Sequence, residues 1–151
     1  MVELITTGVL TVGSVLLLAY WFRYMCLLIL NAKTTQDFAA QVATANQLSF
    51  LKVQSQLVAG ASSELDRLHA SLDRDYALLT YLLKHAASTA GQESSMEARM
   101  LEVNYRLVSA WARFSRNLSP AASRRALEEM SLVVAHFANI MGERSACASA
   151  A

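Results

Sequence analysis

The sequence predicts an all-α protein with one N-terminal transmembrane helix followed by an antiparallel bundle of about four helices. Five glycines and one proline in 151 residues are too few to mark the many turns of a β-rich fold. Apolar residues make up 54% of the chain and charged residues 17%, which excludes disorder for most of it. The charge is also uneven, because residues 1–61 carry only Glu3, Arg23, Lys33, Asp37 and Lys52.

The first predicted element is a membrane anchor within residues 1–33. Residues 4–30 read LITTGVLTVGSVLLLAYWFRYMCLLIL and contain one charged residue, whereas a spanning helix needs about 20 apolar residues. A cleaved signal peptide is the alternative. It is disfavoured because Glu3 stands where a basic n-region is expected, the apolar run is too long, and no A-x-A site follows. A buried core helix rarely runs this long without a polar interruption.

An aromatic cluster surrounds the one cation of this run. Tyr and Trp gather at the lipid headgroup boundary, so we expect these residues at the membrane interface: Tyr20, Trp21, Arg23 and Tyr24. Either residues 2–22 span the membrane and Arg23 reaches the phosphates, or residues 8–30 span it and Arg23 faces a partner helix. Arg23 and Lys33 follow the apolar run, and the positive-inside tendency then places the N-terminus outside and the rest in the cytoplasm.

Helix start and stop signals divide residues 34–143, the predicted cytoplasmic bundle, into four segments. These segments span about 35–59, 63–88, 94–118 and 120–142. The signals are a capping box from Thr34 and Thr35 to Asp37, breaks at Gly60–Ser63 and around Gly91, Ser119 as an N-cap before Pro120, and a stop at Gly142. Residues 144–151 are predicted to form a flexible tail.

Three of the segments carry apolar residues at steps of three and four, which places each set on one helical face. The sets are Leu65, Leu68, Leu72, Tyr76, Leu79, Leu83 and Ala86; Met96, Met100, Val103, Leu107, Trp111, Phe114 and Leu118; and Leu127, Met130, Val134, Phe137 and Met141. We expect all three stripes in the core. Segments of similar length joined by short breaks are typical of an antiparallel bundle.

The segment over 35–59 is different, because Asp37 and Lys52 are its only charged residues. A helix with so few charges is usually buried on more than one side. The apolar residues 25–30, which precede this segment, also need to be covered by protein. We therefore predict self-association or partner binding through Leu27, Leu28, Leu30, Phe38 and Phe50. This pattern favours a non-enzymatic scaffold, assembly or accessory subunit that is a homo-oligomer or part of a larger membrane complex, with lipids as its other partner.

Four arginines surround the turn at 117–120: Arg113, Arg116, Arg124 and Arg125. They suggest an alternative function, a membrane-tethered adaptor or sensor that binds an acidic partner. Antiparallel packing sets this turn at the end of the bundle away from the membrane, which argues against lipid headgroups as the ligand. Arg113 and Arg116 can also simply complement the C-terminal end of their helix.

No pattern predicts a catalytic or metal centre. The histidines are His69, His85 and His136, and the lone Asp66-x-x-His69 falls short of the paired Glu-x-x-His motifs of a di-iron bundle. A haem held by His85 and His136 is a minor alternative. There is no phosphate loop, no glycine-rich elbow and no serine with an evident base. A net charge of +1 argues against nucleic-acid binding.

The cysteines, Cys26 and Cys147, do not form a disulfide or metal-binding pattern. Lipidation of Cys26 is conceivable because juxtamembrane cysteines are acceptors. A small apolar residue in an apolar helix is the simpler interpretation. The sequence therefore predicts no cofactor.

Overall fold

The computed structural model describes residues 1–32, 37–60, 64–90 and 95–150, with the backbone alone for 87–90 and 150. These residues form six helices and no strand: α1 (Val2–Asn31), α2 (Ala39–Ala45), α3 (Phe50–Val58), α4 (Leu65–Ala90), α5 (Met96–Ser115) and α6 (Pro120–Ala150). The all-helical prediction is confirmed. The signals predicted at Thr34–Thr35, Ser62–Ser63 and Gly91 lie outside the described residues.

The chain divides into two compact units, Met1–Lys33 and Thr34–Ala151; we call the second the helical unit. The first unit is α1, the one described helix long and apolar enough to cross a membrane, by length and composition. Its hydroxyl side chains donate hydrogen bonds of 2.8–2.9 Å to carbonyls one turn earlier, at Thr6, Thr7, Thr11 and Ser14. Such bonds satisfy polar groups where water is absent.

In the helical unit, α6 packs against α2, α3, α4 and α5. Its predicted stripe is confirmed at four of five positions, since Leu127, Met130, Val134 and Phe137 are buried and Met141 is half-buried. The stripe of α4 is confirmed at four positions, Leu65, Leu68, Leu72 and Leu79. Each such side chain contributes about 1.5–3 kcal/mol when it leaves water. The predicted cap of α6 is present too, because the Ser119 hydroxyl accepts a hydrogen bond from the Ala122 N–H at 3.4 Å.

The prediction of one helix over 35–59 is wrong, because the chain breaks between α2 and α3. Gln47 adopts the left-handed conformation with φ of 53°. The Leu48 N–H then donates to the Ala43 carbonyl at 2.9 Å, which is a Schellman ending. Asp75 on α4 accepts a hydrogen bond from the N–H of Ser49, the residue before α3. A contact distant in sequence therefore sets the break.

The predicted stop at Gly142 is also wrong, because α6 continues as a helix to Ala150. Gly142 lies inside this helix, where α2 begins to pack on it. A Cβ atom at Gly142 would lie 2.2 Å from the Phe38 Cβ and 3.3 Å from a methyl carbon of Val42. Here glycine provides room for a neighbouring helix. Nearby, the Asn139 side chain accepts a hydrogen bond from the Phe38 N–H at 2.7 Å.

Polar groups join the helices of this unit. The Asn104 amide on α5 donates to Glu129 on α6 at 2.9 Å, and both residues are buried. The Tyr105 hydroxyl on α5 donates to Asp73 on α4 at 3.0 Å. The Tyr105 ring stacks on Tyr76 with centroids 3.8 Å apart. Burial raises the pKa of Tyr105 well above its ordinary value, and the Asp73 carboxylate adds to this effect.

Candidate functional site

The aromatic residues predicted for the membrane interface lie close together on α1. The rings of Tyr20 and Tyr24 stack with centroids 6.4 Å apart, and Trp21 meets Tyr24 edge-on at 6.5 Å. Arg23 lies between Trp21 and Tyr24 in the sequence. This arrangement presents an apolar surface with polar atoms at its rim, which suits the boundary between hydrocarbon and headgroups.

α1 continues as a helix beyond this cluster to Asn31. Its 30 residues extend about 45 Å at a rise of 1.5 Å each, whereas the hydrocarbon core of a bilayer is about 30 Å thick. α1 is therefore about 15 Å longer than that thickness. The predicted partner residues Leu27, Leu28 and Leu30 belong to the part of α1 that follows the aromatic cluster.

The other two predicted partner residues contribute to the helical unit itself. Phe50, the first residue of α3, is fully buried. Phe38, which precedes α2, is half-buried and lies over Gly142 of α6. Their apolar surface is covered by contacts within the chain, so the low charge of 35–59 is accounted for by burial against α6. The prediction that they contact a partner stays untested.

The four arginines near the α5–α6 turn are brought into one region, and three of them make contacts inside the helical unit. Arg113 pairs with Asp73 at 3.0 Å, and Arg116 pairs with Asp66. Arg124 donates to the Leu57 carbonyl at the end of α3 and lies 3.7 Å from Glu128. Arg125 is exposed. The contacts of the first three are those of residues that join helices.

The clearest unexpected feature is on α5. The apolar stripe that we predicted for the core points to solvent, and that prediction is wrong. Trp111, Phe114 and Leu118 expose 53%, 64% and 69% of their surface. We define the α5 face as the six exposed large apolar residues of this stripe, five on α5 and Leu118 in the turn that follows it: Met96, Val103, Leu107, Trp111, Phe114 and Leu118. Apolar side chains gathered in this way mark interaction sites more often than scattered ones do.

A second stripe of α5 fills the core instead. It consists of Leu101, Asn104, Tyr105, Val108, Ser109, Ala112 and Ser115. Its polar members are compatible with burial because neighbouring helices supply partners, such as Glu129 for Asn104 and His69 for Ser109. These seven residues also recur at helical spacing in the sequence. The stripe was overlooked because it is less hydrophobic than the exposed one.

One edge of the α5 face carries a row of arginines, Arg99, Arg106 and Arg113, which we call the arginine row. They are seven residues apart and directly precede Met100, Leu107 and Phe114. All three are exposed. The two carboxylates of α5 are Glu97 and Glu102, and Glu102 already lies 3.6 Å from Lys84 on α4. Asp73 pairs with Arg113, and the surface beside the α5 face still keeps a net positive charge.

A hydroxyl, an imidazole and a carboxylate meet between α4 and α5, although the sequence showed no serine with an evident base. The Ser109 Oγ lies 3.0 Å from His69 Nε2, and His69 Nδ1 lies 3.2 Å from Asp73. A cavity of about 200 Å³ adjoins His69. Ser109 is in the middle of α5, where the backbone N–H groups are bonded within the helix and offer no oxyanion hole. We interpret this cluster as a polar link between two helices.

The other histidines lie apart from this cluster. The His85 ring is exposed beside Tyr81, with centroids 4.1 Å apart. His136 lies beside Phe137 on α6, and burial lowers its pKa. Within the part of the chain that the structure describes, no group of three or more His, Cys, Asp or Glu side chains is placed to hold a metal ion.

Comparison with protein families, with curated proteins and with solved structures gave no match to this chain.

Proposed function

We propose that this chain is a single-span membrane protein, without an enzymatic activity or a bound cofactor. Its cytoplasmic antiparallel bundle acts as a scaffold or accessory subunit of a membrane assembly. α1 is the anchor, with its N-terminus outside. Assembly occurs through the end of α1, where Leu27, Leu28 and Leu30 contact a second copy or another subunit.

The observation that carries this proposal is the length of α1. With the aromatic cluster at the headgroups, residues 25–30 leave the hydrocarbon as a further helical stretch of about 9 Å. Leu27 and Leu28 expose 37% and 48% of their surface, and each forgoes about 1 kcal/mol of burial energy when that part stays in water. If the span is shifted to residues 8–30, Arg23 enters the hydrocarbon and needs a polar partner. In both cases a protein partner near the end of α1 removes the penalty, either by covering the leucines or by pairing with Arg23.

A membrane-tethered adaptor that uses the arginine turn has less support. An acidic partner would compete with Asp73 for Arg113 and with Asp66 for Arg116. Arg125 alone would offer little affinity, because single exposed ion pairs contribute at most about 1 kcal/mol. A haem bundle would need His85 and His136 to face each other, and we do not propose it.

The assembly proposal is tested by photo-crosslinking in the native membrane. A benzophenone amino acid replaces Leu28 in one variant and Val12, nearer the start of α1, in the control. We expect discrete protein adducts from position 28 and mainly lipid adducts from position 12. The proposal is overturned if position 28 yields lipid adducts alone and the gently extracted protein is monomeric with nothing co-purifying.

Topology is tested with a membrane-impermeant maleimide on intact and permeabilised cells. Cys147 is exposed on α6, and a Cys26→Ala background leaves it as the only thiol. We expect labelling only after permeabilisation, whereas a Val2→Cys variant that also lacks Cys147 should label in intact cells. The reverse pattern would place the bundle outside.

A further inference from the structure

We propose that the α5 face docks onto the anionic surface of the bilayer that holds α1, with the α5 axis parallel to the membrane plane. This inference rests on the proposed function only in requiring that α1 is a membrane anchor. It concerns a surface that the assembly proposal does not use.

The composition of the α5 face matches an interfacial helix. Such helices place Trp, Phe and Leu on one side and Lys or Arg beside them, and they bury the apolar side about 5–10 Å into the headgroup region. Trp111, Phe114 and Leu118 provide this side near the end of α5, and Met96, Val103 and Leu107 extend it. The 20 residues of α5 give a contact line of about 30 Å.

The arginine row selects an anionic surface as the occupant, because it keeps a net positive charge although Arg113 is paired with Asp73. Each arginine near an anionic leaflet contributes attraction, and long arginine side chains place their charge at phosphates while the stems cover apolar surface. A second copy fits less well, because two α5 faces packed antiparallel would set the two arginine rows against each other. The exposed edge of α5 offers no matching row of carboxylates, since Glu102 is engaged by Lys84.

The anchor keeps the bilayer within reach. The stretch 32–38 joins α1 to α2, and a chain of that length spans at most about 25 Å. Docking is then an intramolecular event with a high effective concentration of lipid. With α5 parallel to the membrane, the turn at 117–120, which contains Leu118, also lies at the membrane surface. This docked orientation replaces the upright bundle that the sequence led us to expect.

The chain has two tryptophans, Trp21 and Trp111, so a Trp21→Phe variant leaves Trp111 as the only emitter. The full chain is reconstituted into vesicles of phosphatidylcholine with phosphatidylglycerol. Brominated lipids report lipid contact, and acrylamide reports water. We expect quenching of Trp111 by brominated lipid and protection from acrylamide. The control carries Trp111→Phe and Tyr81→Trp as well, which moves the emitter to an exposed position on α4, and it should respond to acrylamide.

Charge-reversal variants provide a second test of docking. Arg99→Glu with Arg106→Glu should lower the ratio of docked to undocked protein by about 30-fold or more, and vesicles of phosphatidylcholine alone should lower it too. Arg144→Glu, on α6, is the matched control and should have little effect.

Two results overturn the inference. One is acrylamide quenching of Trp111 without lipid quenching. The other is protection from both quenchers together with a crosslinked dimer, which would identify a second copy as the occupant. Resistance to alkaline carbonate extraction reports insertion of α1 separately. If α1 does not insert, the proposed function fails. If α1 inserts and Trp111 stays in water, only this inference fails.

Discussion

The carboxylate of Asp75 on α4 accepts two hydrogen bonds from Ser49, one from the backbone N–H at 2.6 Å and one from the hydroxyl at 3.0 Å. Ser49 is the residue before α3, where the first N–H groups of a helix lack partners within the helix. An acidic side chain from another helix thus fixes the point at which α3 begins. Asp75 is only 3% exposed, so water cannot replace it.

We therefore expect Asp75→Ala to lower the free energy of unfolding by about 2–4 kcal/mol, because it leaves the Ser49 N–H without its charged acceptor. Denaturant titration of the full chain in detergent, followed by circular dichroism, measures this loss. Asp75→Asn keeps one acceptor oxygen and should lose less. Equal losses in the two variants would show that the charge, and not the acceptor, provides the stability.

Replacing Gly142 should also be costly. In a solvent-facing helix, Gly→Ala stabilises by about 1 kcal/mol, but the new Cβ would lie 2.2 Å from the Phe38 Cβ. Neither atom can move without its backbone. We expect Gly142→Ala to destabilise the helical unit by about 1–3 kcal/mol. Gly13→Ala on α1 meets no atom within 4 Å and serves as the control. A gain in stability at Gly142 would mean that α2 does not pack there.

Two leucines of α5 test which side of this helix is buried. Leu101 has no exposed surface and Leu107 is 58% exposed. Leu101→Ala should cost about 2–5 kcal/mol of unfolding free energy. Leu107→Ala should change it by less than about 0.5 kcal/mol. The measurement is thermal or denaturant unfolding in detergent. A larger loss for Leu107→Ala than for Leu101→Ala would mean that the α5 face is buried, and it would remove the basis for membrane docking.

Stability should fall on the acid side through His136. Burial lowers the pKa of this histidine in the folded protein, although Glu97 and Glu143 act in the opposite direction. As the pH drops below about 6.5, the unfolded chain takes up a proton that the folded state still excludes. The unfolding free energy must then decrease towards pH 5. His136→Gln should flatten this slope in a series of melting curves, and an unchanged slope would assign it to other groups.

Stability should also fall on the alkaline side through the stacked tyrosines. Burial raises the pKa of Tyr76 and of Tyr105 in the folded state. Above about pH 10 the unfolded chain releases phenolic protons that the folded state retains, so the unfolding free energy decreases as the pH rises. Melting curves between pH 9 and 11 should show a weaker decrease for Tyr76→Phe with Tyr105→Phe. A decrease as steep as in the parent would exclude this pair as its source.

Local sequence signals predicted several parts of the fold correctly. Leu72 and Leu79 on α4 and Val134 on α6 lie in the core as their spacing predicted. Ser119 caps α6 with Pro120 as its first residue. These features depend on residues within a few turns of each other. The apolar composition of 4–30 likewise identified α1 as a helix long enough for a membrane.

The errors occur where distant residues decide the structure. Gln47 takes a left-handed conformation two residues before Ser49, to which α4 supplies an acceptor, and Gly142 lies inside α6, where it leaves room for Phe38. On α5, periodicity identified the residues that share a side, but it could not tell which side packs. Asn104 made the buried stripe look polar, and its partner Glu129 comes from another helix. The residues of the α5 face were therefore identified correctly as one side of a helix, but that side was predicted to be buried and is exposed.

The position of α6 in the chain has a consequence during synthesis. It is the helix on which α2, α3, α4 and α5 all pack, and it is translated after each of them. Ribosomes add about 5–20 residues per second, so the apolar sides of the earlier helices wait seconds for their common partner. Until α6 has been synthesised, these apolar sides are exposed to water and open to non-native contacts.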